Sequence, residues 1–102
     1  MKRSLMQAYV KESGKAVEFY RRAFDAELVS SAPNPDGTYY HAELDIFGQI
    51  FALSESVSDK CIAGNTMQFC LHLGEDQEIL LRKIYEVLKD GADILTPLGP
   101  CP

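Results

Sequence analysis

The spacing of apolar residues changes period along this sequence, from 2 to 3.6 and back, and that limits the fold more than any other feature. Residues 5–10, Leu5-Met6-Gln7-Ala8-Tyr9-Val10, are short enough for one strand. A polar break follows at Glu12-Ser13-Gly14-Lys15, with Ser13 placed to cap a helix. Apolar residues then recur at Ala16, Val17, Phe19, Tyr20, Ala23 and Phe24, which is helical spacing with Glu18, Arg21 and Arg22 on the wet side. Residues 26–31 read as a second strand. Asn34-Pro35-Asp36-Gly37 is a turn, because Pro presets one backbone angle and Gly tolerates the positive one. Residues 38–46 alternate: Tyr40, Ala42, Leu44 and Ile46 on one face, Tyr39, His41, Glu43 and Asp45 on the other. Gly48 interrupts, and 49–54 form a fourth strand. The order over 1–54 is therefore βαβββ.

The second half reads as a shorter copy. Residues 55–65 are polar and turn-rich, a loop. Residues 66–73 read as a fifth strand, 76–90 as a helix with Leu80, Leu81, Ile84, Val87 and Leu88 on its stripe, and 92–95 as a sixth strand. Gly91 stops the helix. Thr96-Pro97 ends the last strand and the tail from Leu98 is irregular. Met6-Gln7-Ala8-Tyr9-Val10 resembles Met67-Gln68-Phe69-Cys70-Leu71, and the matching order of elements strengthens that short repeat. The expected class is α+β: a βαβββ module over 1–54, a loop over 55–65, and an incomplete βαβ module over 66–102, in mostly antiparallel curved sheets.

Composition removes several functions. The 102 residues carry 46% hydrophobic and 25% charged residues, the balance of one small globular domain. Ten Lys and Arg against fifteen Asp and Glu leave a net charge of -5, with the cations scattered, so neither duplex DNA nor an anionic membrane surface is an expected partner. There is no apolar run long enough for a membrane helix, and the basic start meets Gln7 too early for a secretory segment, so a cytoplasmic location is expected. Cys61, Cys70 and Cys101 fit no zinc or redox spacing and are expected as free thiols, with Cys70 as a small core or cleft residue.

Alternation also predicts a cleft. If Phe69, Leu71 and Leu73 pack under the helices, then Gln68, Cys70 and His72 face the concave side, together with Tyr39, His41, Glu43 and Asp45 from the third strand and Gln7 and Tyr9 from the first. His41 and Glu43 at i, i+2 have two readings. A carboxylate beside an imidazole orients it for ligand contact or general-base work. The pair also suits the solvated face of a half-exposed strand. His72, Tyr9 and Tyr39 likewise read as packing residues or as cleft residues.

The helix Ala16-Val17-Glu18-Phe19-Tyr20-Arg21-Arg22-Ala23-Phe24 between two strands resembles the opening of the vicinal oxygen chelate superfamily, which includes glyoxalases, extradiol dioxygenases and bleomycin and fosfomycin resistance proteins. His41-Ala42-Glu43-Leu44, Gly48, Leu53-Ser54-Glu55 and the Pro97-Leu98 step look like its PhnB-like branch. The resemblance covers the whole chain and implies a glyoxalase-like domain whose second module is shorter than the family's. It implies a small-molecule ligand in the cleft. The family's metal ligands would fall on Leu5, on Ala52 or Leu53, and on Gln68. Those residues do not make a metal site, so neither a metal nor another cofactor is expected. A metal-dependent lyase or dioxygenase and a drug-sequestering resistance protein are the alternatives. The unpartnered sheet edge of a partial module implies a homodimer.

Overall fold

A computed structural model describes residues 1–59, 64, 66–95 and 98–99. Cys61, Cys101, Thr96 and Pro97 lie outside the described residues. The elements in order are β1 (Met6–Val10), α1 (Ser13–Phe24), β2 (Glu27–Pro33), β3 (Tyr39–Ile46), β4 (Gln49–Glu55) and α2 (Glu78–Leu88). They fall into two compact units, Met1–Gln68 and Phe69–Pro102.

The first unit is α+β, a four-stranded sheet in the order β1-β4-β3-β2 with α1 on one face. β1 runs parallel to β4, while β4–β3 and β3–β2 are antiparallel. The parallel pair follows from α1, which carries the chain back across the sheet as a crossover must. β3 and β4 are joined by Phe47 and Gly48, both at positive φ (52° and 91°), with Ile46 opposite Gln49. Two central residues of that kind make the turn whose twist suits a hairpin. The Asp45 carboxylate accepts the Gly48 N–H at 2.7 Å and ties the turn down.

The core lies between α1 and the sheet. Val17, Ala42, Leu44 and Leu53 have no exposed surface, and Ala23, Phe24 and Ile46 are buried with them. Tyr20 meets Phe51 edge-on at 5.6 Å and Phe24 meets Phe47 at 6.3 Å, so the helix stripe docks on β4 and its turn. α1 stops where Asp25 enters the left-handed region (φ 49°), and Arg21 and Arg22 sit favourably in its negative last turn.

The structure corrects several expectations. Ser13 is not the cap: Glu12 occupies that position at φ 55° without a side-chain cap bond, and Ser13 is the first helical residue, fully buried. Tyr40 does not join Ala42 and Leu44 in the core and is 75% exposed. A register shift between Ala32 and Pro33 pairs Pro33 with Tyr39 and leaves Tyr40 as the extra residue of a bulge, which breaks the alternation at that point. Residues 66–73 and 92–95 are not strands. The side chains keep their alternation, with Phe69, Leu71 and Leu73 half-buried and Gln68, Cys70 and His72 exposed. A strand also needs a ladder of N–H and C=O bonds to a neighbour, and the sheet of the described residues is made of β1–β4 alone.

In the second unit α2 buries Ile84 and half-buries Leu80, Tyr85, Val87 and Leu88, while Leu81 is exposed. Glu78–Arg82 at 2.8 Å, one helical turn apart, and Glu86–Lys89 at 2.7 Å line its outer side. Gly91 follows at φ 78°. Among the described residues no helix is long and apolar enough to cross a membrane.

Candidate functional site

The sheet face turned away from α1 carries the charged chemistry. The register sets Gln7 and Glu43 on either side of Ala52, and Tyr9 beside Ser54. Small residues on the central strand thus make a floor between polar side chains. Glu43 is 5% exposed although its strand neighbours on this face are polar. It is therefore not a solvated strand residue.

Its carboxylate is fully engaged. Arg3, from the segment ahead of β1, donates from Nη1 to Oε1 at 2.7 Å and from Nη2 to Oε2 at 2.9 Å. His41 Nε2 lies 2.8 Å from Oε2. The two-pronged Arg3 bond first, and the His41 bond second, hold the Glu43 carboxyl down at about 2 against the raising effect of burial. Arg3 is raised in turn by Glu43. Next to this cluster the Gln7 amide donates to the Ser54 hydroxyl at 3.0 Å.

On the opposite face a second polar network fastens the helix. The Glu55 carboxylate, at the end of β4, accepts the Ser13 N–H and hydroxyl, each at 2.8 Å, and the Glu12 N–H at 3.2 Å. The Ser13 hydroxyl oxygen accepts the Tyr39 N–H at 2.8 Å. Glu55 does from another strand what a cap residue does locally, satisfying the free N–H groups of the first turn. The Ser13 N–H above all, then its hydroxyl, lowers the Glu55 carboxyl below its ordinary range.

The sequence-derived site residues divide. Gln7, Tyr9, His41 and Glu43 share the polar face in the first unit. Tyr39 lines a different groove, with Glu12, Gly14, Lys15, Glu18, Asp36, Gly37 and Thr38. The bulge at Tyr40 accounts for its departure from the His41 set. Gln68 is exposed at the end of the first unit. In the second unit Cys70 is an exposed free thiol, not a core residue, 3.9 Å from His72 Nε2. A groove of about 360 Å³ there is lined by Glu78, Leu81, Arg82, Leu98 and Gly99.

Arg3 and Ser54 join this cluster without being among the sequence-derived residues. β4 alternation carries a signal for Ser54, since Phe51 and Leu53 must face the helix. Arg3 has none, because its partner is 40 residues away. Of the positions where the family resemblance places metal ligands, Leu5, Ala52 or Leu53, and Gln68, only Gln68 carries a donor atom. Leu5, Ala52 and Leu53 have no donor atoms in their side chains, and Ala52 and Leu53 are fully buried. Among the described residues no three His, Cys, Asp or Glu side chains converge.

No family model matches the chain. Over an alignment of 95 positions the chain is 38% identical to an uncharacterised protein of Mycobacterium bovis, covering 87% of this chain and 62% of that protein. Two uncharacterised proteins from strains of Mycobacterium tuberculosis match equally over 55% of their length. The chain thus spans less than two thirds of these relatives. Among solved structures it is similar to TioX from Micromonospora sp. ML1, with a TM-score of 0.61 and 21% identity over 99% of this chain and 79% of TioX. It is also similar to FosX, a genomically encoded fosfomycin resistance protein of Listeria monocytogenes, with a TM-score of 0.57 and 18% identity over 98% of this chain and 75% of FosX. A helix-backed sheet in the order β1-β4-β3-β2, followed by a further helix, gives this chain the α+β fold it shares with TioX and FosX.

Proposed function

We propose that this protein binds a small organic molecule on the polar face of its sheet, as a member of the vicinal oxygen chelate superfamily in its PhnB-like branch. The observation that supports this reading is the Arg3–Glu43–His41 cluster, an ionised carboxylate buried beside a floor of Ala52 and Ser54. Burying an ion pair contributes little to stability on balance, and strongly displaced carboxyl groups gather at binding and catalytic sites. Gln7 and Tyr9 form one wall and His41 and Glu43 the other. Gln68, exposed at the end of the first unit, is proposed as a further contact. The reading includes no metal, because Leu5, Ala52 and Leu53 offer no ligand atom and Gln68 alone is too few. It treats 1–54 as a glyoxalase-like module and 66–102 as part of a second.

A drug-binding resistance role is the second reading, favoured by the likeness to FosX. A homodimer is proposed with either, since β1 stands at the edge of the four-stranded sheet among the described residues. Sedimentation at micromolar concentration tests it, and a monomer of 11.4 kDa would remove the dimer from the proposal.

A thermal-shift screen of the purified protein, with fosfomycin among the compounds, tests the function. A ligand that binds the folded form raises the melting temperature. The expected hits lose their effect in His41→Ala. Hits that shift this variant as strongly as the wild type would move the site elsewhere.

A further inference from the structure

We infer that His41 is the hydrogen-bond acceptor of this site, locked as the Nε2–H tautomer, and that the site selects a neutral N–H donor such as a primary amide over an anion. The inference rests on the reading of this face as a small-molecule site.

A neutral imidazole has one N–H and one lone pair, and the partner of one nitrogen decides where each lies. Here that partner is Glu43 Oε2, 2.8 Å from His41 Nε2. An ionised carboxylate only accepts, so Nε2 carries the hydrogen and the lone pair sits on Nδ1. The other tautomer would set two lone pairs against each other. Glu43 cannot turn away to relieve that, because Arg3 grips both of its oxygens. The carboxyl group also stays charged well below neutral pH. The tautomer of His41 is thus set by Glu43 on the same strand and by Arg3 from the segment ahead of β1.

The Nδ1 atom has no hydrogen-bond partner among the described residues, and no buried side-chain nitrogen or oxygen among them lacks one. Nδ1 therefore opens to solvent, on a side chain that is 30% exposed. A second acceptor lies across the floor. The Gln7 amide nitrogen donates to Ser54, and the amide oxygen remains as an acceptor. The one cation in the cluster, Arg3, is already engaged by Glu43 in two-pronged fashion. An arriving anion would compete with a carboxylate that is already in place and would be repelled by it. A neutral donor meets two acceptors and no such repulsion.

The test uses the full chain labelled with ¹⁵N-histidine. The chain has two histidines, so His72→Asn assigns the two rings in a two-bond ¹H–¹⁵N correlation spectrum. The expected result, at a pH where imidazole is neutral, is the Nε2–H pattern for His41 with Nδ1 in the lone-pair range. Glu43→Gln should return a mixture of tautomers, since an amide can donate as well as accept. An Nδ1–H pattern, or a mixture in the wild type, overturns the acceptor assignment whatever the site binds. Benzamide and benzoate, near-isosteric, are the probes for the ligand class. Benzamide should move the His41 Nδ1 resonance and benzoate should not. A larger response to benzoate overturns the selectivity. A locked tautomer with no response to either probe overturns the ligand class and counts against the small-molecule reading itself.

Discussion

Replacing Glu43 by Gln removes a buried charge while keeping the shape of the side chain. The Glu43 carboxyl stands at about 2 instead of 4.5, chiefly because Arg3 bonds both of its oxygens and secondarily because of His41. At about 1.4 kcal/mol per pKa unit, that displacement corresponds to about 3 kcal/mol at most. Arg3 is 57% exposed, so water screens the pair. The contribution expected in solution is about 1–2 kcal/mol. A folded-state value below the unfolded one stabilises the fold above the unfolded pKa, and the stabilisation is lost as pH falls through the folded pKa. The window therefore runs from 4.5 down to about 2. Less than half of the contribution remains near about pH 3. Urea unfolding of wild type and Glu43→Gln at about pH 7 and about pH 3 measures both quantities. The wild type should lead clearly at the higher pH, and the gap should shrink at the lower one. Equal stability near neutral pH, or a gap that does not change with pH, would refute the assignment of Arg3 and His41 as the groups that keep Glu43 charged.

Three further substitutions probe the scaffold. Ser13→Ala deprives the Tyr39 N–H of its acceptor and should cost about 1–3 kcal/mol, with faster amide exchange at Tyr39; unchanged exchange there would count against the contact. Gly14→Ala would ordinarily strengthen a helix by about 1 kcal/mol. Here a Cβ would run into the Gly37 carbonyl oxygen, so calorimetry should show a lower melting temperature, and a higher one would mean that the β2–β3 turn yields freely. Leu44→Ala, at a position with no exposed surface, should cost about 2–5 kcal/mol in chemical denaturation, and a cost under about 1 kcal/mol would place Leu44 outside the core.

The sequence by itself determined the periods, and through them most of the first unit. Strand residues of opposite parity must face opposite sides, so Ala42, Leu44 and Ile46 are buried together while His41 and Glu43 share the other face. Helical spacing likewise carries Val17, Tyr20 and Phe24 onto the sheet. These are consequences of local geometry, and a window of ten residues contains them. Boundaries moved by one to a few residues, because caps and bulges answer to neighbours outside that window.

Tertiary structure decided what depends on partners. Residues 66–73 alternate as β1 does, yet β1 is laddered to β4 and 66–73 are not assigned to a strand. Tyr40 lost its place in the core to a bulge set by the pairing of β2 with β3. Glu55 holds the start of α1 from 42 residues away, and Arg3 grips Glu43 across 40. No local pattern marks either contact, because a side chain records its own period but not which distant strand will close beside it. The charge state of Glu43, and with it the tautomer of His41, exists only once the sheet has formed and brought Arg3 across it.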